Sequence, residues 1–246
     1  MVELMVTLVI TLILLALVLS VLQNARDQGN KAACVSNLRQ IGVGINLYAA
    51  EHGGEIPYGP KAGPYTSPGN FYPSTGSPTS LLSVPGGAPV ALGFILPYLG
   101  KNPEVLFCPG SDQPVNAATE LAKVGVTQAQ GSYYYRHGGN TELFDSPNLQ
   151  KPPMLLGALG LNRNGIPIRA LVIDTLFSAP KSLESFNVKS RSHHRSVFAN
   201  ILFADGHVAS RPNAQNRFSV DVTNVANVRQ SFDKILQVFE QADMEY

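Results

Sequence analysis

The sequence predicts an α+β protein: one long N-terminal α-helix, its first half membrane-spanning, packed on a small antiparallel β-sheet head. Three observations predict it. Residues 4–22 carry no charge, Gly or Pro. An apolar stripe at helical spacing then runs from Cys34 to Tyr48, and short apolar runs near the C-terminus flank an Asp-Gly turn.

The apolar run LMVTLVITLILLALVLSVL makes a helix of roughly 28 Å at about 1.5 Å per residue, close to the hydrocarbon thickness of a bilayer. A secretory signal peptide calls for basic residues before such a run and a small-residue cleavage site after it. This chain places Met1-Val2-Glu3 before it and Leu22-Gln23-Asn24 after it, so a membrane span is the expected reading. The helical register continues into polar sequence, with no Pro before Pro57. Cys34, Leu38, Ile41, Ile45 and Tyr48 alternate spacings of four and three and form one stripe that must be buried. Gly29 weakens the helix at the junction, and Gly53-Gly54 ends it. Residues 1–23 thus form the membrane half of the helix, 24–53 its soluble half, and 54–246 a globular α+β head.

Within the head, residues 53–90 hold eight Pro with Gly and Ser interleaved, and a regular element of any length is not expected there. Its aromatic residues Tyr58, Tyr65, Phe71 and Tyr72 are expected to tuck this loop onto the core rather than grip a partner or glycan. Ala91–Leu99 reads as a short helix. Residues 131–136, 170–174 and 198–204 read as strands. Asp205-Gly206 predicts a tight hairpin with a type I′ turn. Ser231–Ala242 reads as an amphipathic helix through Phe232, Ile235, Leu236 and Phe239.

Charged residues are only 14% of the chain and the formal net charge is +1, so bulk electrostatics does not direct it to nucleic acid, and no such partner is expected. Lys181, Lys189, Arg191 and Arg195 gather near two His, and a solvated loop is the expected explanation. The two cysteines lack CxxC spacing, which argues against a structural zinc site. Cys34 lies on the helix stripe and Cys108 precedes Pro109 in a loop. Two readings stand for this pair: a disulfide pinning loop to helix in an oxidising compartment, or two small buried thiols.

The residues that could carry chemistry are Asp174, His193, His194, Asp205 and His207, since His and carboxylate bind metals or act as acid and base. No HExxH or GxSxG pattern accompanies them, and 157–165 has no phosphate-binding signature. No dense Asp/Asn run marks a Ca²⁺ loop. Asp174, His194, Asp205 and His207 are therefore weak metal candidates, with no metal, no cofactor and no catalysis expected.

The stretch VELMVTLVITLILLALVLSVLQNARDQGNKAACVSNLRQIGVGINLYAAEHGGEIP resembles the N-terminus of type IV pilin-like proteins, in particular the large bacterial pseudopilin-like group with a prepilin-type cleavage and methylation motif. LFCPGSD at 106–112 and HHRSVFANILFADGHV at 193–208 resemble the same group, which carries a His, nine residues, then Asp-Gly. Here ten residues separate His194 from Asp205. The resemblance implies assembly through the N-terminal helix with other pilin-like subunits, in a type II secretion or type IV pilus-like filament. It also implies processing by a prepilin peptidase, and a single-pass inner-membrane location with the head in the periplasm or an extracellular filament. Met1 aligns with the third residue of the family's mature start, so the expectation is a reading frame extending upstream through the leader, Gly and Phe. Glu3 matches the Glu of the family's mature start, and the resemblance implies that it pairs with the N-terminal amine of a neighbouring subunit. Without that role it is an interfacial Glu solvated by headgroups. A mid-membrane carboxylate costs about 2–3 kcal/mol, which favours a function for it. The alternative for the whole chain is a membrane-anchored exported binding module for a glycan or secreted partner.

Overall fold

A computed structural model describes residues 2–60, 78–113, 115–138, 154–186, 190–222 and 228–246. Helix α1, Val2–Glu51, is continuous through Gly29 and about 75 Å long. It ends two residues earlier than its Gly pair, and the Gly54 N–H closes its last turn on the Ala49 carbonyl at 2.7 Å.

Five strands form one antiparallel sheet: β1 (Thr79–Ser83), β2 (Ala129–Tyr135), β3 (Ala170–Asp174), β5 (Phe198–Phe203) and β6 (Val208–Pro212), in the order β1-β2-β3-β5-β6. A separate parallel pair joins β4 (Phe177–Ser178) to β7 (Val220–Asp221). α2 (Ala117–Leu121) is a single capped turn, its Thr119 N–H bonded to Asn116 Oδ1. α3 (Val228–Met244) ends the chain.

Period-two alternation sends the strands' side chains to two cores. Val172 and Leu202 are cross-strand partners facing α1, while their neighbours Ile173 and Ile201 face α3. On the first face the predicted stripe is buried in full at Cys34, Leu38, Ile41 and Ile45. Gly42 lets the helix approach the sheet: a Cβ there would stand 3.1 Å from Leu202 Cδ1. On the second face α3 buries Ile235, Leu236, Val238, Phe239 and Ala242. The head is a helix–sheet–helix sandwich, and α1 is one of its layers. The Phe232 side chain lies outside what is described.

Three expectations are corrected and one is refined. The Pro-rich stretch contains strand β1: Leu81 and Leu82 are buried and the strand pairs with β2, so tertiary packing overrides the surrounding breakers. Ala91–Leu99 is helical but of the tighter 3₁₀ type, with Pro97 inside it. The β5–β6 hairpin forms, yet its turn is not type I′. Gly206 has φ 88° while Asp205 is not left-handed; the Gly206 N–H bonds the Phe203 carbonyl at 2.9 Å, a type I turn closed by a left-handed Gly. Finally, the 190s are not a solvated loop: Arg191, His193 and His194 are all buried. Tyr65, Phe71, Tyr72 and Lys189 lie outside the described residues, whereas Tyr58 sits edge-on to His137, with ring centroids 5.5 Å apart.

Candidate functional site

The apolar half of α1 is long and apolar enough to cross a membrane and is not covered by the head. From Val2 to Leu22 its large apolar side chains are all at least half exposed. The described hydroxyls of this stretch turn inward. Thr7 Oγ1 donates to the Leu4 carbonyl at 3.0 Å, and Thr11 Oγ1 donates to the Thr7 and Leu8 carbonyls at 3.0 and 2.9 Å. Their polarity is thereby met within the helix, as a lipid environment requires. Glu3 lies in the first turn, where a carboxylate complements the helix dipole.

Where α1 enters the head, the structure gathers a buried polar cluster. Cys34 and Cys108 form a disulfide, which decides between the two readings of the pair. It closes a chain separation of 74 residues, worth about 4 kcal/mol on the chain-entropy account. Beside it, Asn37 Nδ2 donates to the Phe107 carbonyl at 3.1 Å, a second tie between helix and loop. His194 Nε2 stands 3.4 Å from Cys108 Sγ and 3.5 Å from Asp174 Oδ2. Asn200 organises the group. Its backbone N–H and its amide Nδ2 both donate to Asp174 Oδ2, at 3.1 and 2.7 Å, and Nδ2 also lies 3.3 Å from His194 Nε2. Ser210 Oγ in turn donates to Asn200 Oδ1.

His194 reaches this position through a strained backbone. His194, Arg195 and Ser196 have φ of 54°, 53° and 56°, three successive non-Gly residues in the left-handed region. Each costs roughly 1 kcal/mol or more, and such strain persists only where the surroundings over-determine it. Here the His194 N–H bonds the Gly110 carbonyl at 2.9 Å, and the Arg195 N–H bonds the Asp112 carboxylate at 3.0 and 3.1 Å. The ring is clamped as well, stacked on Phe198 with centroids 4.5 Å apart. Opposite, Gly110 leaves it room: a Cβ there would lie 2.4 Å from His194 Cε1.

Burial disfavours charge within the cluster. Burial raises the Asp174 carboxyl to about 7, against the opposing hydrogen bonds from Asn200. Burial pushes the His194 ring down to about 4, with Lys31 acting in the same direction. Near neutral pH the Asp174–His194 contact thus joins an uncharged imidazole to a carboxyl close to its own titration midpoint. His193, also lowered to about 4 by burial, faces away and donates Nδ1–H to the Thr175 carbonyl at 2.7 Å.

Of the weak metal candidates, the structure brings Asp174 and His194 together and leaves Asp205 and His207 at the hairpin. There His207 Nδ1 contacts Asp205 Oδ1 at 2.7 Å and the Tyr246 hydroxyl donates to Asp205 Oδ2 at 3.0 Å. Burial is the largest single influence on the Asp205 carboxyl and raises it, but the His207 N–H, the His207 ring and the Tyr246 hydroxyl together outweigh it and hold the group below its ordinary range. Sequence reasoning missed that the cysteines join the Asp174–His194 pair, and missed Asn200; neither leaves a signal in local spacing. A cleft of about 520 Å³ opens onto His194 between α1 and the two loops, lined among others by Asp27, Lys31, Gly110, Asp112 and Phe198. Comparison with protein families, curated proteins and solved structures finds no match for this chain.

Proposed function

We propose that the chain is a structural subunit of the type IV pilin-like, pseudopilin class. It is held in the bacterial inner membrane by the first half of α1, with its head in the periplasm or in an extracellular filament. It assembles with other pilin-like subunits through that helix, after processing by a prepilin peptidase, and carries out no chemical step of its own.

The observation that supports this reading is the continuity of α1. One unbroken helix is bare and apolar over residues 2–22 and is a layer of the head core over 34–49. A simple anchor needs only a span joined by any linker. A helix built into the core and locked by a disulfide fixes the head's orientation relative to the span, which repeated head-to-tail stacking into an open helical array demands. Glu3 supplies the acidic group expected to pair with a neighbouring amine.

The test is Glu3→Ala in the native membrane, scored by cross-linking. The reading expects unchanged membrane insertion and loss of cross-linked higher oligomers. Oligomers of the variant at the level of the parent chain would overturn it.

A further inference from the structure

We propose that, once the Cys34–Cys108 bond is reduced, Cys34, Cys108, Asp174 and His194 form a four-ligand site for a zinc-class divalent cation beneath α1. One ligand atom from each of these buried residues lies within 4.8 Å of all the others. In a tetrahedral zinc site, bonds of about 2.0 Å to N or O and 2.3 Å to S set ligand–ligand edges of about 3.3–3.8 Å. The Cys108 Sγ–His194 Nε2 and His194 Nε2–Asp174 Oδ2 separations, 3.4 and 3.5 Å, already fall in that range. The sulfur–sulfur edge is the one that reduction frees to open. Two thiolates, an imidazole and a carboxylate form a borderline-soft donor set, suited to Zn²⁺ and unlike the all-oxygen shells of Ca²⁺ or Mg²⁺.

A second observation points to a ligand. Asp174 Oδ1 is buried with no hydrogen-bond partner among the described residues, in a side chain whose other oxygen takes two bonds from Asn200. A buried acceptor left unmet is costly, and a cation held by this carboxylate, whose Oδ2 faces His194, would satisfy it by binding across both oxygens. The supporting contacts are already built. With the Asn200 amide assigned as donor to His194 Nε2, the ring proton resides on Nδ1; the cation replaces that hydrogen bond at the Nε2 lone pair, and the amide keeps its shorter bond to Asp174 Oδ2. Phe198 and Gly110 hold the plane of the ring, and the cleft gives a path from solvent to His194.

The chemistry balances with a dithiol as reductant. The dithiol gives two electrons and two protons and becomes a disulfide; the Cys34–Cys108 bond breaks into two thiols. Zn²⁺ then forms two Zn–S bonds and releases both thiol protons to solvent, along with the Asp174 proton in molecules whose carboxyl carries one. Bond and cation exclude each other, and each ties α1 to the loop after Phe107. The clamp between stalk and head therefore persists in reducing and oxidising compartments alike. This inference does not depend on filament assembly.

The test uses the full chain in detergent micelles, reduced with a water-soluble phosphine, freed of excess reagent without oxygen, and titrated with Co²⁺. The expected result is thiolate-to-cobalt charge-transfer absorption with tetrahedral d–d bands, saturating at one equivalent, displaced by Zn²⁺ and absent in the oxidised chain. Asp174→Asn and His194→Gln should each weaken Co²⁺ binding tenfold or more. If the reduced chain loses near-ultraviolet circular dichroism, Zn²⁺ should restore it. The proposal is overturned by a reduced, folded chain that gives no such bands, by bands of equal affinity in both variants, or by lost dichroism that Zn²⁺ does not restore.

Discussion

Truncating Asp243 should be among the most damaging single changes in the head. Its carboxylate is fully buried near the end of α3 and ties four groups. Oδ2 accepts from Arg136 NH1 at 2.7 Å and from Asn162 Nδ2 at 2.9 Å; Oδ1 accepts from the backbone N–H groups of Arg169 and Ala170, both at 2.9 Å. Arg136 is itself 0% exposed, so Asp243→Ala strands a guanidinium with no route to water. Removing one partner of a buried pair costs about 3–5 kcal/mol, a large share of the roughly 5–15 kcal/mol that keeps a domain folded. In a head of this size that is a fall in Tm of about 6–20 °C. The assay is urea unfolding followed by near-ultraviolet circular dichroism, with two comparisons. Asp233→Ala breaks the more exposed contact with Arg163 and an exposed hydrogen bond from Gln237, and should cost about 1 kcal/mol or less. The double variant Arg136→Met, Asp243→Leu removes the stranded charge and should recover part of the loss, the remainder being the Asn162, Arg169 and Ala170 donors that still lack their acceptor. Equal midpoints for Asp243→Ala and Asp233→Ala would refute the reasoning.

Two further outcomes follow from close packing of glycines. Gly42→Leu drives a side chain into Leu202 and should cost about 1–3 kcal/mol of head stability, whereas Gly29→Leu, with nothing within 4 Å of its Cβ, should cost none; urea midpoints distinguish them. Gly110→Ala collides with the His194 ring and should displace it from Phe198 and Asp174, read as shifted His194 ring proton resonances with the overall spectrum retained; unshifted resonances would contradict the clamped geometry.

What was legible in the sequence was whatever repeats at the period of a helix or strand. The stripe from Cys34 to Tyr48, the strand Ala170–Asp174 and the apolar face of α3 announce themselves through local spacing, because burial of one face imposes it. Strand β1 did not, since Thr79–Ser83 is short and sits among prolines, and its pairing with β2 is decided by residues some fifty positions away. The candidate site was half legible. Asp174 and His194 stood out by chemistry, but Cys34 joins them from the stalk and Cys108 from a loop, and no linear spacing encodes that meeting. The segment around Arg191 misled because its charges read as solvated. Arg191 instead runs inward, its NH1 donating to the Gly131 carbonyl. The Arg136–Asp243 pair spans 107 residues and leaves no local trace.

The most direct measurement is the mature N-terminus of the protein recovered from its native membrane, determined by mass spectrometry. The account predicts an N-methylated phenylalanine two residues ahead of Met1, with residues 2–22 retained. A start at Met1, or a cut near residue 22 that removes the apolar half of α1, would contradict it.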